Sequence, residues 1–178
     1  MASTREEILL EAIAVAEDEK SVTSILYTGR LTLTRKELSF SGTASTGKWI
    51  APYTMKGDEW YFSIPLGELE EARVEVSKRL KLKKRLHIAG YTHKGEYVDV
   101  SFYLDRYFVQ KYVLASSIAK TLMGRMAESY FKGVIMRISD TIIDELADIF
   151  GETVASVKYS DPYKVWEVII KRLKEGEI

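Results

Sequence analysis

Hydrophobic residues change their period twice along this chain, and each change predicts a different kind of element. Over residues 3–20, STREEILLEAIAVAEDEK, Ile8, Ala12 and Val15 recur at helical spacing with Leu9, Ile13 and Ala16 beside them. Ser3 with Glu6, or Thr4 with Glu7, has the spacing of a capping box, so an amphipathic N-terminal helix over 1–20 is predicted, with Glu6, Glu7, Glu11 and Glu17 on its wet side. From Val22 the period falls to two. Leu31 and Leu33 alternate with Thr32 and Thr34, and Leu38 and Phe40 resume the alternation after the polar Arg35-Lys36-Glu37. That pattern is a β-hairpin. Phe62, Ile64 and Leu66 alternate with Tyr61, Ser63 and Pro65 in a further strand, whose proline suits a strand end or a sheet edge. Gly67 turns the chain toward another alternating strand, Arg73 to Ser77. Val98, Val100 and Phe102 then mark one face of a hairpin with Lys94-Gly95 at its tip, opposite Asp99, Ser101 and Tyr103.

From Arg106 helical spacing returns. Phe108, Tyr112, Ala115, Ala119, Leu122, Met126 and Tyr130 make one stripe, which serves as core or as an oligomer contact. Tyr112, Ala119, Met126 and Tyr130 are the candidate partner-binding residues on it. A second helix from Thr141 to Phe150 ends at Gly151 in the manner of a left-handed cap. TVASVKYS reads as a short strand. Asp161-Pro162 then supplies an N-cap and a first-turn proline for a last helix, with Lys171, Arg172 and Lys174 near its C-terminal end. The expected organisation is an N-terminal helix (1–20), a β domain with a closing helix (21–122) and a helical C-terminal extension (123–178).

Composition narrows the function classes. The hydrophobic fraction, 46%, is enough for a sizeable core, and 26 basic residues balance 26 acidic ones. Any attraction for nucleic acid or an acidic membrane must therefore be local. Cysteine and asparagine are absent and Gln110 is the only glutamine, a depletion of heat-labile side chains expected of a thermophile. The opening MASTREEILL lacks the basic region of an export signal, and no apolar run reaches the length of a membrane span, so a cytoplasmic protein is expected.

Candidate chemistry is sparse. Gly42, Gly47 and Lys48 lack both the glycine spacing and the following hydroxyl of a phosphate-binding loop, because Trp49 follows the lysine. Trp49, Tyr53, Trp60 and Tyr61 are either a stacking platform or, more ordinarily, core. His87 and His93 flank a turn without further ligands at metal spacing and are expected at the surface. The most localised charge is Lys78, Arg79, Lys81, Lys83, Lys84 and Arg85, with Leu80, Leu82, Leu86 and Ile88 on the alternate parity and a turn or bulge expected near Lys84. These six are the candidate anion-binding residues. Read as a sheet edge, the same lysines guard against aggregation, and Glu68, Glu70, Glu71 and Glu75 upstream would neutralise them.

Gly29-Arg-Leu-Thr-Leu-Thr followed by Arg35-Lys-Glu-Leu-Ser-Phe40, then Ile64-Pro-Leu-Gly-Glu-Leu69 and a late hairpin running into a helix, resembles the pleckstrin-homology (PH) superfold. Within it the likeness is to GRAM-like and bacterial PH-like domains, over about Ser24 to Leu122. A looser resemblance, to archaeal taxis adaptors, rests on the layout of the opening region. The PH-like resemblance implies an α+β fold, a bent antiparallel sheet or partly open barrel plugged by a helix, here flanked by the N-terminal helix and the helical C-terminal region. It also implies a module that binds lipids, peptides or proteins. Lipid-binding members carry their basic residues in the first hairpin, near Arg35 and Lys36 here, whereas this chain concentrates them at Lys78 to Arg85. The expected function is a non-catalytic interaction or adaptor module, without cofactor or metal, whose partner is another protein or a second copy. The alternative is an anion-binding module for nucleic acid or an acidic membrane surface.

Overall fold

The structure, a computed structural model, describes residues 5–20, 26–45, 59–77, 83–105 and 136–178. They form an α+β fold built on one large antiparallel sheet. Its strands are β1 (Ile8–Asp18), β2 (Leu26–Thr34), β3 (Glu37–Ser45), β4 (Glu59–Pro65), β5 (Leu69–Val76), β6 (Lys84–Tyr91), β7 (Tyr97–Tyr103) and β8 (Met136–Ile138). The helices among the described residues are C-terminal: α1 (Asp140–Phe150), α2 (Val154–Val157) and α3 (Pro162–Lys174). None of them is long and apolar enough to cross a membrane.

The predicted N-terminal helix is instead β1, the central strand. The sheet order is β4-β3-β2-β1-β7-β6-β5, with β8 also on β1. One edge of β1 pairs with β2, while the other is shared by β7, at Val15 to Asp18, and β8, at Leu10 to Ala12. Leu9 to Glu17 are all buried, so both faces of this strand are covered. A strand buried on both faces loses its alternation and becomes a continuous apolar run, which a helix of the same length also satisfies. Its acidic residues are matched from neighbouring strands. Arg30 Nε on β2 lies 3.0 Å from Glu11, and Tyr103 OH on β7 donates to Glu17 at 2.9 Å.

The two edge strands, β4 and β5, are consecutive in sequence. Only a 3-10 turn, Leu66–Glu68, joins them. Seven flat strands would hold those edges roughly 30 Å apart, whereas three residues span about 10 Å, so the sheet must curl until its edges converge here. Gly90 of β6 sits at the convergence: a Cβ there would lie 2.5 Å from the Glu68 carbonyl oxygen and 3.1 Å from Ile64. The sheet nevertheless stays open, with no β4–β5 ladder.

Helix α3 fills the concave side. Val165, Trp166, Ile169 and Ile170 recur at helical spacing and are buried in the same core as Leu86, Val100 and Phe102 of the sheet. Asp161 caps the helix by accepting from the Tyr163 amide at 3.0 Å, and Pro162 begins it, as the sequence predicts. Helix α1 joins this core through Ile142, Ile143 and Leu146 and ends at Gly151 with φ +62°, the left-handed cap. The TVASVKYS segment holds the short helix α2 rather than a strand. Thr153 caps it, accepting from the Ser156 amide at 3.3 Å and so favouring a helical turn.

Tyr163 ties α3 to the sheet by accepting from the Leu104 amide at 2.8 Å. Burial pushes its phenol from 10.0 up to about 12, against the opposing pull of the Leu104 and Asp105 backbone hydrogen bonds. The folded phenol holds its proton more tightly than the unfolded one. Its contribution is therefore complete below pH 10 and is lost as pH rises toward 12. In urea titrations, Tyr163→Phe should flatten the alkaline fall in stability over that interval.

Candidate functional site on the outer sheet face

Alternation along β5, β6 and β7 puts Leu86, Ile88, Val98, Val100 and Phe102 in the core. Residues of opposite parity lie on the other face of the sheet: Glu71, Arg73 and Glu75, then Arg85 and His87, then Asp99, Ser101 and Tyr103, the last two fully buried there. Cross-strand register makes one network of them with Glu17 and Glu19. Arg85 is its hub: its two terminal nitrogens lie 2.6 Å from Glu19 and 2.7 Å from Glu75. Burial alone would lower the guanidinium pKa, but those two carboxylates hold it above the ordinary arginine value. Ser101 Oγ donates to Glu19 at 2.7 Å. Arg73 reaches Glu75 at 3.4 Å and Glu71 at 3.5 Å, extending the network along β5.

His87 closes the far end and is only 9% exposed, so the expectation of a surface histidine fails for it. Its Nε2 lies 2.6 Å from Asp99 Oδ1. Its Nδ1 lies 3.1 Å from Glu71 Oε2, an ion-pair distance without hydrogen-bond alignment. The imidazole thus stands between two protein carboxylates, and the expected His93 at the surface is found there, 2.7 Å from Glu37. Among the described residues, no three His, Asp or Glu side chains gather to hold a metal.

The basic stretch divides. Lys78, Arg79 and Lys81 lie outside the described residues. Lys83 is exposed just before β6. Lys84 opens that strand and bonds Asp161 at 3.0 Å, and Arg85 is committed to the network. Glu75 is one of the upstream acidic residues anticipated as a neutralising partner. The turn expected near Lys84 is there, since the chain reverses between Val76 and Lys84, which pair antiparallel, while the register shift on β5 falls between Leu69 and Glu71.

The candidate partner residues Tyr112, Ala119, Met126 and Tyr130 lie outside the described residues, as do Trp49 and Tyr53. Trp60 packs inward, 4.9 Å from Tyr27 and 5.0 Å from Phe62 between ring centres. Tyr61 is 70% exposed on the other face, so these two cannot form one stacking platform.

Comparison with family models, curated proteins and solved structures returns no match. Two open grooves lie among the described residues. One, of about 680 Å³, lies between β1, β8 and the start of α1, and is lined by both signs: Glu7, Glu11 and Asp140 against Arg137 and Lys158. There, hydrogen bonds from Ser139 and Thr141 hold the Glu7 carboxyl below the usual carboxylate range. The other, of about 640 Å³, lies between β5 and α3. The acidic and basic positions of the network were visible in the sequence as alternating polar residues. Their pairing was not, because His87 and Asp99 meet only once the hairpin register is set.

Proposed function

We propose that this chain is a non-catalytic interaction module on a PH-like scaffold. The observation that supports it best is the strand order, a meander β1 to β4 and a second β5 to β7, joined through β1 and β7 in one open sheet against a helix. The resemblance of the opening hairpin, over Ser24 to Leu122, implies a bent antiparallel sheet, while β1 and α3 lie outside that span. In the network, arginine and histidine nitrogens are turned toward carboxylates of the same chain, which favours a scaffold role for that face. Anion binding through Lys78 to Arg85 is the weaker reading, since Arg85 and Lys84 already have acidic partners.

Amine-reactive cross-linking of the full chain in its native host tests the reading. A protein partner, or a second copy, should be recovered reproducibly in near-stoichiometric amount. If the purified chain instead binds DNA, RNA or acidic vesicles at low salt, and changing Lys81 and Lys83 to Ser weakens that binding, the anion-binding alternative replaces it.

A further inference from the structure

The two edges of the sheet are finished differently. On β5, the Val74 amide points outward and donates to Glu167 of α3 at 2.6 Å, and the Leu69 carbonyl accepts from Lys174 at 2.5 Å. Helix α3 thus caps two groups of that edge with its own side chains. On β4, the Leu66 amide bonds the Lys36 carbonyl at 2.8 Å, which makes Pro65 and Glu37 a non-hydrogen-bonded pair. The alternation that follows aims Trp60, Phe62 and Ile64 at β3. It leaves the backbone groups of Glu59, Tyr61 and Ser63, and the Pro65 carbonyl, facing away from the sheet. Among the described residues, no hydrogen bond reaches those groups.

Edges of this kind are normally blunted by lysine, by a bulge or by a proline within the strand. The β3–β4 register runs from Glu37 and Pro65 to Thr43 and Glu59 without a shift. EWYFSIP carries no lysine, and its one proline is the last residue. It is also rich in the aromatic residues that favour strands.

We propose that β4 pairs edge to edge with β4 of a second copy of this chain, antiparallel across a two-fold axis. This rests on the interaction-module reading and names its surface and its partner. Full overlap of the two strands pairs Tyr61 with Ser63 of the copy, and Ser63 with its Tyr61, each pair exchanging both backbone bonds. Glu59 donates to the Pro65 carbonyl, where the missing proline N–H costs least. Charge selects the antiparallel arrangement. Glu59 is the only ionised side chain on the strand, and antiparallel pairing sets the two carboxylates about 20 Å apart, beyond the screening length of about 8 Å. Parallel pairing would set them roughly 5 Å apart. Tyr61, largely exposed on the outer face, would be covered by the Ser63 side of the copy.

Amide hydrogen exchange of the full chain, read residue by residue at low and high protein concentration beside sedimentation, tests this directly. The Tyr61 and Ser63 amides should slow roughly tenfold or more as the chain dimerises, while those of Trp60, Phe62 and Ile64, already bonded to β3, should not change. Tyr61→Lys places a cation on the edge at an exposed position and should weaken the dimer about tenfold or more. Tyr61→Phe should leave it intact and keeps the test open if the lysine variant folds poorly. A chain that stays monomeric at high concentration overturns the inference, as does a dimer without that alternate-residue protection. Protection of Tyr61 and Ser63 that appears only with a different protein also overturns it, in favour of a heterologous strand. None of these outcomes touches the module reading, which stands or falls on its cross-linking test.

Discussion

Trp166→Ala should lower unfolding stability by about 3–5 kcal/mol in urea titrations, the cost of emptying a large core site. Domain stabilities run to only about 5–15 kcal/mol, so this single change would consume a large share. Trp166 is fully buried on α3, with Val165 and Ile169 beside it. The space it vacates is bounded by a curled sheet already held by the short β4–β5 connection, so collapse around the cavity is restricted. The indole Nε1 has no hydrogen-bond partner among the described residues, which makes the loss one of packing rather than of a polar contact. A change below about 1 kcal/mol, the level of an exposed site, would mean that α3 is not part of the sheet's core.

Arg85→Ala should cost about 3 kcal/mol, because it leaves Glu19 and Glu75 facing each other on a partly buried surface without their common cation. The side chain is 17% exposed, and both ion-pair distances are short. Breaking such a pair from one side is far more costly than removing it whole. In a background carrying Glu19→Gln and Glu75→Gln, the same Arg85 change should therefore cost less than about 1 kcal/mol. Equal losses in both backgrounds would show that Arg85 contributes through its aliphatic stem alone.

Much of the fold was legible because local rules decided it. Leu31, Leu33, Leu38 and Phe40 alternate because β2 and β3 have one face in the core and one outside it. Gly151 and Asp161-Pro162 mark helix ends by backbone chemistry that needs no tertiary partner. What misled was β1. Glu11 and Glu17 look like the wet side of a helix, yet both are buried and matched by Arg30 and Tyr103 from neighbouring strands. Those partners sit on other strands, Tyr103 as far as 86 residues from Glu17, so no local pattern announces them.

His87 failed for the same reason. Its position on the basic parity of Lys81, Lys83 and Arg85 was visible, but its burial depends on β5 and β7 arriving on either side with Glu71 and Asp99. The candidate anion-binding stretch was visible as charge and invisible as pairing. Arg85 turns into a network because Glu75 stands opposite it in the β5–β6 register.

One core joins the curled sheet to α3, and that helix caps two groups of the β5 edge, while among the described residues nothing caps β4. Native-state hydrogen exchange of the full chain across a denaturant series tests this union most directly. The amides of Leu10 to Ala16 on β1 and of Val165 to Ile170 on α3 should exchange through one global opening, with the same free energy and the same denaturant dependence. Exchange of the α3 amides through a separate, lower-energy opening while β1 stays protected would contradict it, and would make the C-terminal helices an appendage to the sheet.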